Sequence, residues 1–278
     1  MWCKTSTAGK GKVPFTVLTQ ERIDSLTRDK QQVLGEGASC RVLLVEVDGA
    51  PCCLKVAKEK RLKRLFQKEF DILLELNGAA GAPLALGTSF GFPALLTSFC
   101  GKSTFCELSR VASGDKEKFS AFLSLVKDVQ QLHTFRYTHN DIKENNVVVR
   151  RDPDGRLQVS LIDYGMAKPF GTKLKYAGND RHNPSRHPWM APELKSGGAC
   201  QPPVDMYSLG FVLKNLLATC EARYPSLEVL AATAMSPDPA DRPSVAKMAK
   251  SMREYTVQDK KTKKSVFGKI LRFFSFRK

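Results

Sequence analysis

The stretch His139-Asn140-Asp141-Ile142-Lys143-Glu144-Asn145-Asn146-Val147-Val148-Val149 decides how this chain is read. Downstream of it stands Leu161-Ile162-Asp163-Tyr164-Gly165. Between the two, Asp152-Pro153-Asp154-Gly155 is a turn signal flanked by apolar runs, Val147–Val149 and Val159–Ile162, and it predicts a hairpin. Asp141 and Asn146 then share one short loop entering the hairpin, and Asp163 leaves its far strand, so both ends face one cleft. A carboxylate placed beside an amide and a second carboxylate suits phosphoryl transfer, which needs a group near the attacking hydroxyl and oxygen ligands for magnesium.

Upstream, Gln32 to Val47 alternates and contains Gly35-x-Gly37, which reads as strand, glycine turn, strand. Glycine there lets backbone amides approach a phosphate; a plain hairpin turn explains the pair about equally well. Asp48-Gly49 signals a second turn before the apolar strand Cys52-Cys53-Leu54-Lys55-Val56-Ala57. Lys55 in such a run needs an anionic partner, which Glu69 on the next helix could supply; the plainer alternative is an edge strand with the ammonium reaching water. Residues 60–76 have helical spacing, Phe92–Phe99 reads as a strand, and Val13–Leu26 is mixed, either a lead-in strand or a short helix. The first hundred residues therefore predict a small sheet with one helix. Beyond them, Phe119, Phe122, Leu123, Val126, Val129 and Leu132 form a helical core stripe, a long loop runs from Asp163 to about Pro192, and Tyr207–Leu217 is a strongly apolar helix.

The ordered set resembles the eukaryotic protein kinase superfamily. Gly35-x-Gly37-x-x-Cys40-x-Val42 is similar to its glycine-rich loop, Cys53-Leu54-Lys55 to its lysine strand, and Lys68-Glu69-Phe70-Asp71-Ile72-Leu73 to the helix whose glutamate pairs that lysine. His139 through Asn146 resembles the catalytic loop and Asp163-Tyr164-Gly165 the metal-binding triplet. In family order follow Ala191-Pro192-Glu193, similar to the end of the activation segment, Asp205-Met206-Tyr207-Ser208-Leu209-Gly210, similar to the helix that anchors the catalytic loop, and Asp238-Pro239-Ala240-Asp241-Arg242-Pro243, which resembles the late motif whose arginine pairs with the Glu193 position.

The resemblance implies an α+β, bilobal fold with a small, mostly β N-lobe bearing one helix and a larger, mostly α C-lobe. It places the kinase domain at 28–255, with lobes of about 28–99 and 100–255, after an extension at 1–27 and before a basic tail at 256–278. It implies ATP and Mg²⁺ as cofactors and a protein substrate. Lys55 would hold the first two phosphates and Glu69 would hold Lys55. Asp141 would orient the acceptor hydroxyl and take its proton, Lys143 would steady the transferred phosphate, and Asn146 and Asp163 would bind magnesium. Leu34, Gly35 and Gly37 would cover the nucleotide, and Val42, Cys53 and Val148 would sandwich adenine. Thr97 stands where the family has its gatekeeper, followed by a hinge from Ser98 to Cys100. The expected activity is a serine/threonine kinase; the alternative is a pseudokinase or membrane-tethered scaffold that binds nucleotide without turnover.

Several residues depart from the family pattern. Cys40 replaces the third glycine and is read as an apolar filler rather than a redox switch. Tyr164 replaces phenylalanine. Asn140 stands where many kinases carry an arginine that pairs with an activation-segment phosphate, and an amide cannot make that charge-assisted contact. Thr172, Tyr176 and Ser185 are candidate phosphosites. Lys143 resembles serine/threonine kinases, whereas Trp189-Met190 resembles tyrosine kinases and their serine/threonine relatives. The interval from Asp205 to Arg242 is short, so the helix that usually docks substrate is expected to be reduced or missing.

Composition sets the surroundings. The formal net charge is +16, and Lys58, Lys60, Arg61, Lys63, Arg64 and Lys68 form one of its clusters. Such a field favours anionic partners; no specific nucleic acid is expected. The eight cysteines form no zinc-like spacing and read as reduced thiols. No apolar run of membrane-spanning length and no secretory leader is seen, so the expected location is cytoplasmic. The tail can add membrane or nuclear attachment. Within it, Val266, Phe267, Ile270, Leu271 and Phe274 share a helical face opposite Lys269, Arg272 and Ser275. That pattern suits an anionic membrane or a calmodulin-like partner at residues 260–278, about as well as a helix packed on the lobe or a disordered tail. Full-length protein is expected to co-sediment with phosphatidylserine liposomes and a 1–258 truncation to stay in solution. Equal binding by both would remove the tail from membrane attachment.

Overall fold

The computed structural model describes residues 14–28, 32–37, 39–174 and 187–256. The candidate phosphosites Tyr176 and Ser185 and the amphipathic tail lie outside the described residues. In chain order the elements are β1 (Thr16–Val17), α1 (Gln20–Thr27), β2 (Gln32–Glu36), β3 (Cys40–Val47), β4 (Ala50–Ala57), α2 (Lys63–Leu76), β5 (Ala85–Thr88), β6 (Ala94–Ser98) and β7 (Ser103–Thr104). There follow α3 (Leu108–Val111), α4 (Asp115–Thr134), β8 (Tyr137–Thr138), β9 (Val147–Arg151), β10 (Leu157–Leu161), β11 (Lys168–Pro169), α5 (Pro192–Lys195), α6 (Pro202–Leu217), α7 (Pro225–Ala234) and α8 (Val245–Thr256).

A six-stranded sheet in the order β1-β5-β6-β4-β3-β2 forms the N-lobe. Alternation along its strands sorts residues between two faces. Leu43, Val45, Cys52 and Leu54 are buried in one cluster with Leu18, Ile23 and Leu26, so α1 covers that face. On the other face Lys55 points toward α2. The expected domain start at 28 thus leaves out a strand and helix that complete the lobe. β1 runs parallel to β5, with Thr16 opposite Gly87. A Cβ on Gly87 would come within 2.9 Å of the Thr16 carbonyl oxygen, so glycine is what permits this close pairing. Phe15 then meets Phe70 of α2 edge to face, with centroids 5.0 Å apart.

The C-lobe is built round α4, whose Phe122, Leu125, Val126, Val129 and Leu132 are fully buried. These are five positions of one apolar face at helical spacing, with neither glycine nor proline between them. α6 is apolar almost all round and is correspondingly central. Its Gly210 is so close to α7 that a Cβ would lie 2.8 Å from that of Ala234. This contact explains a residue that ordinarily weakens a helix interior by about 1 kcal/mol. Among the described residues no helix is long and apolar enough to cross a membrane.

The α6–α7 link, residues 218–224, contains no helix, which bears out the shortened interval seen in the sequence. Asp115 at the start of α4 closes it. Its carboxylate accepts from the Glu221 and Ala222 amides (3.0 and 3.2 Å) and from the Tyr224 hydroxyl (3.1 Å). Lys118, also bonded to Asp115, donates to the Thr219 carbonyl at 2.6 Å. A second brace joins Arg242 to Glu193 through two parallel bonds of 2.6 and 2.8 Å. The same guanidinium donates to the Ser236 and Pro203 carbonyls. The end of the activation segment is thereby fixed to the late arginine motif.

The β9–β10 hairpin pairs Val147 with Leu161 and Val149 with Val159, as Asp152-Pro153-Asp154-Gly155 predicts. Arg151 ties it to α4 by donating to Glu117 at 2.8 and 2.9 Å. Those bonds, with that from the Ser113 amide, hold the Glu117 carboxyl at about 2 against an ordinary 4.5. A carboxyl depressed by folding stabilises above its unfolded value, and the stabilisation disappears as pH falls toward the folded one. The urea midpoint is therefore expected to drop between about pH 5 and pH 3, and to drop less in Arg151→Ala, which lacks the coupling. Identical pH slopes in the two proteins would contradict this.

Candidate active site

The site has two polar centres joined by backbone. In the first, the ammonium of Lys55 on β4 donates to both oxygens of Glu69 on α2, at 3.0 and 2.8 Å, and to Asp163 Oδ1 at 2.8 Å. Glu69 is 4% exposed, whereas the Asp163 side chain is 45% exposed toward the cleft. Burial pushes the Glu69 carboxyl up, against the opposing pull of Lys55. Asp163 is held down, with Lys55 overcoming its desolvation. The two acids hold the Lys55 ammonium firmly protonated despite burial. The edge-strand alternative for Lys55 is therefore not what the fold adopts: β4 lies between β3 and β6.

In the second centre, Asp141 Oδ2 accepts from Lys143 at 2.8 Å and from the Asn146 amide at 2.9 Å. The Asn146 amide also donates to the Asp141 carbonyl. These bonds use the nitrogen of Asn146, which directs its carbonyl oxygen to other partners. That oxygen and the Asp163 oxygen not bonded to Lys55 are of the hard type that magnesium takes, an ion that keeps waters and phosphate oxygens in its shell. The centres are joined by the Ile162 amide, which donates to the Asn146 carbonyl at 2.9 Å, and by the His139 ring against the Ile162 carbonyl at 3.1 Å.

Asp205, fully buried in the first turn of α6, suspends the catalytic loop. Oδ2 accepts from the His139 amide (3.0 Å) and meets His133 Nε2 (2.9 Å), and Oδ1 accepts from the Asn140 amide (2.9 Å). Asn140 has φ 66°, a left-handed conformation that asparagine tolerates better than most residues. Its side-chain amide donates to the Met166 carbonyl at 2.9 Å. The residue in the arginine position thus ties the catalytic loop to the start of the activation segment. Tyr164 is fully buried, with its hydroxyl 3.4 Å from the Ala80 carbonyl and its ring edge to face with His139. Burial pushes its phenol well up.

The residues expected to face a nucleotide lie on β2, β3, β4, β6 and β9 and on the hinge. Gly35, on β2 beside Leu34, pairs with Val42 of β3 across the turn. A Cβ at Gly35 or Gly37 would meet nothing within 4 Å, so packing of the chain itself does not require glycine there. Cys53 pairs with buried Thr97 across β4 and β6. Burial, with Cys100 nearby, pushes the Cys53 thiol up to about 12, which makes it an apolar wall rather than a nucleophile. The same cause raises the Cys40 thiol, in keeping with a filler. Ser98 accepts from the Leu84 amide and starts the hinge. Past Cys100, the Cβ position of Gly101 lies 3.0 Å from Val148, which places Val148 beneath the hinge.

Two features of the site were not assigned from sequence. Asp205 was expected only as part of the helix that anchors the catalytic loop; its three donors belong to segments about seventy residues away. Trp189, noted only for acceptor type, donates its indole N–H to Asp141 Oδ1 at 2.7 Å.

This bilobal fold and cleft are those of the protein kinase class. The protein-kinase-domain family model matches residues 28–224, and the chain belongs to that family. It is similar to human serine/threonine-protein kinase SBK2, with 30% identity over 72% of this chain and 59% of that protein. It is also similar to the dual specificity protein kinase shkD of Dictyostelium discoideum, with 28% identity over 70% of this chain and 27% of that protein. A shorter match, 31% identical over 32% of this chain and 15% of the relative, is to a Caenorhabditis elegans protein named inactive tyrosine-protein kinase RYK. The chain thus spans only part of each relative.

Lys55→Met leaves Glu69 buried beside Asp163 without its cation. Because burial favours the protonated acid, the mutant is expected to lose more stability at about pH 8 than at about pH 5, reaching about 3 kcal/mol at the higher value. Urea titrations at both would show it; equal losses would mean that Glu69 does not bear the charge.

Proposed function

We propose that this protein kinase transfers the γ-phosphate of ATP to serine or threonine hydroxyls of protein substrates, without needing a phosphate on its activation segment. The observation that carries the reading is the formed pair of centres: Lys55 on Glu69 and Asp163, and Asp141 held by Lys143 and Asn146. In this reading Asp141 orients the acceptor and takes its proton, Lys55 positions ATP, and Lys143 neutralises charge on the transferred group. Asn146 and Asp163 would hold magnesium, whose chemistry is charge neutralisation on the phosphates.

Independence from phosphorylation is supported by Asn140, whose bond to the Met166 carbonyl joins the catalytic loop to the segment without a phosphate. Lys143, and the serine/threonine name of the human relative, favour aliphatic hydroxyls. A cytoplasmic protein with its basic tail on an anionic membrane, or on a calmodulin-like partner, is the matching placement. An inactive relative appears among the matches, yet Lys55, Glu69, Asp141, Asn146 and Asp163 all stand in place here.

Radiolabelled ATP with generic protein substrates tests the reading. Wild type should transfer label at least about a hundredfold faster than Asp141→Ala, the usual scale for a general base. Phosphatase-treated wild type should keep its rate within about twofold, since no charge-assisted arginine contact is lost. Wild type at the mutant background would instead favour a nucleotide-binding scaffold; loss after phosphatase would defeat the independence.

A further inference from the structure

We propose that Trp189 is a positioning residue for the catalytic base. Its indole fixes which lone pair of Asp141 receives the acceptor hydroxyl, and its ring holds Lys143 over the same carboxylate. This inference rests on the kinase reading above.

A carboxylate offers about four acceptor positions, two on each oxygen. Oδ2 of Asp141 is used twice, by Lys143 at 2.8 Å and by Asn146 at 2.9 Å. Among the described residues Oδ1 is used once, by the Trp189 indole at 2.7 Å. Among them one position remains, on Oδ1, and its direction is set by the indole. The same indole carries the Lys143 ammonium 4.7 Å from a ring centroid, a cation–π contact. Trp189 therefore touches both groups that flank the reacting atoms.

The anchorage of Trp189 is independent of the cleft. Its carbonyl accepts from the Ser208 hydroxyl of α6 at 2.8 Å, and His187 lies against its ring. The next residues, Met190 and Ala191, are buried with Leu194, Cys200 and Val204. Glu193 is gripped by Arg242. An indole mounted this way is held by the C-lobe itself, while its N–H and ring face reach the base. Because its N–H is bonded to Asp141, the indole can respond to an acceptor that bonds to the same carboxylate.

The chain has two tryptophans, Trp2 and Trp189, so a Trp2→Phe background leaves Trp189 as its only indole. In that background, adding Asp141→Ala should shift the Trp189 emission, because the hydrogen bond to a charged acceptor is gone. Binding of the best acceptor protein without ATP should also change the emission, and ATP alone should not. In turnover, Trp189→Phe keeps the ring face under Lys143 and loses the N–H. Its kcat should fall about tenfold, the scale of one hydrogen bond to a charged group, with KM for ATP unchanged. Trp189→Leu removes ring and N–H together and should fall further. An emission spectrum indifferent to Asp141→Ala, or a Trp189→Phe kcat within twofold of an active wild type, would overturn the proposal alone. Wild type that transfers no more label than Asp141→Ala would overturn the kinase reading, and the positioning role with it.

Discussion

The site depends on one buried carboxylate. Asp205 is fully buried, and a buried carboxylate without donors costs several kcal/mol, so the fold must bring donors to it. It is placed in the first turn of α6, where the helix dipole favours negative charge. The donors it receives are two successive backbone amides of the catalytic loop and the ring of His133. Satisfying Asp205 therefore fixes the backbone at His139 and Asn140, and with it the direction in which Asp141 leaves the loop. The left-handed turn at Asn140 is the local strain that this arrangement holds in place.

From that anchor the two halves of the cleft are linked by short bonds rather than by general packing. The Ile162 backbone bonds connect the catalytic loop with the segment carrying Asp163, and Asp163 reaches Lys55 across the lobes. Lys55 in turn depends on α2 being close to the sheet. Phe15 packs against Phe70 of that helix, and β1 adds a strand beyond β5. Placement of Lys55 thus draws on a segment that precedes residue 28, where the family match begins.

Much of this was legible in the chain because it is local. Asp141 and Asn146 are five residues apart, and Asp152-Pro153-Asp154-Gly155 sets the turn that brings Asp163 back beside them. Alternation in β3 and β4 and the apolar stripe of α4 are periodic, and burial follows the period. Val13–Leu26 was not legible in the same way. Its strand has only two residues, too few for a period, and its place at the sheet edge depends on a missing Cβ at Gly87. The boundary drawn at 28 reflects the reach of the motif pattern, whereas Leu18, Ile23 and Leu26 belong to the N-lobe core.

By itself the sequence determined which chemical groups are present, in what order, and on which local elements: a loop carboxylate with an amide five residues on, a second carboxylate after the hairpin, an ammonium in a strand and an acid on the following helix. The short interval from Asp205 to Arg242 also led to the expectation of a reduced or missing helix, and residues 218–224 contain none. Tertiary structure decided the partners. Lys55 meets Asp163 across 108 positions and Trp189 meets Asp141 across 48. Pairings at such separations follow no period. They are selected because each buried charge and donor must find a counterpart once the lobes close, and only the folded arrangement shows which one it finds.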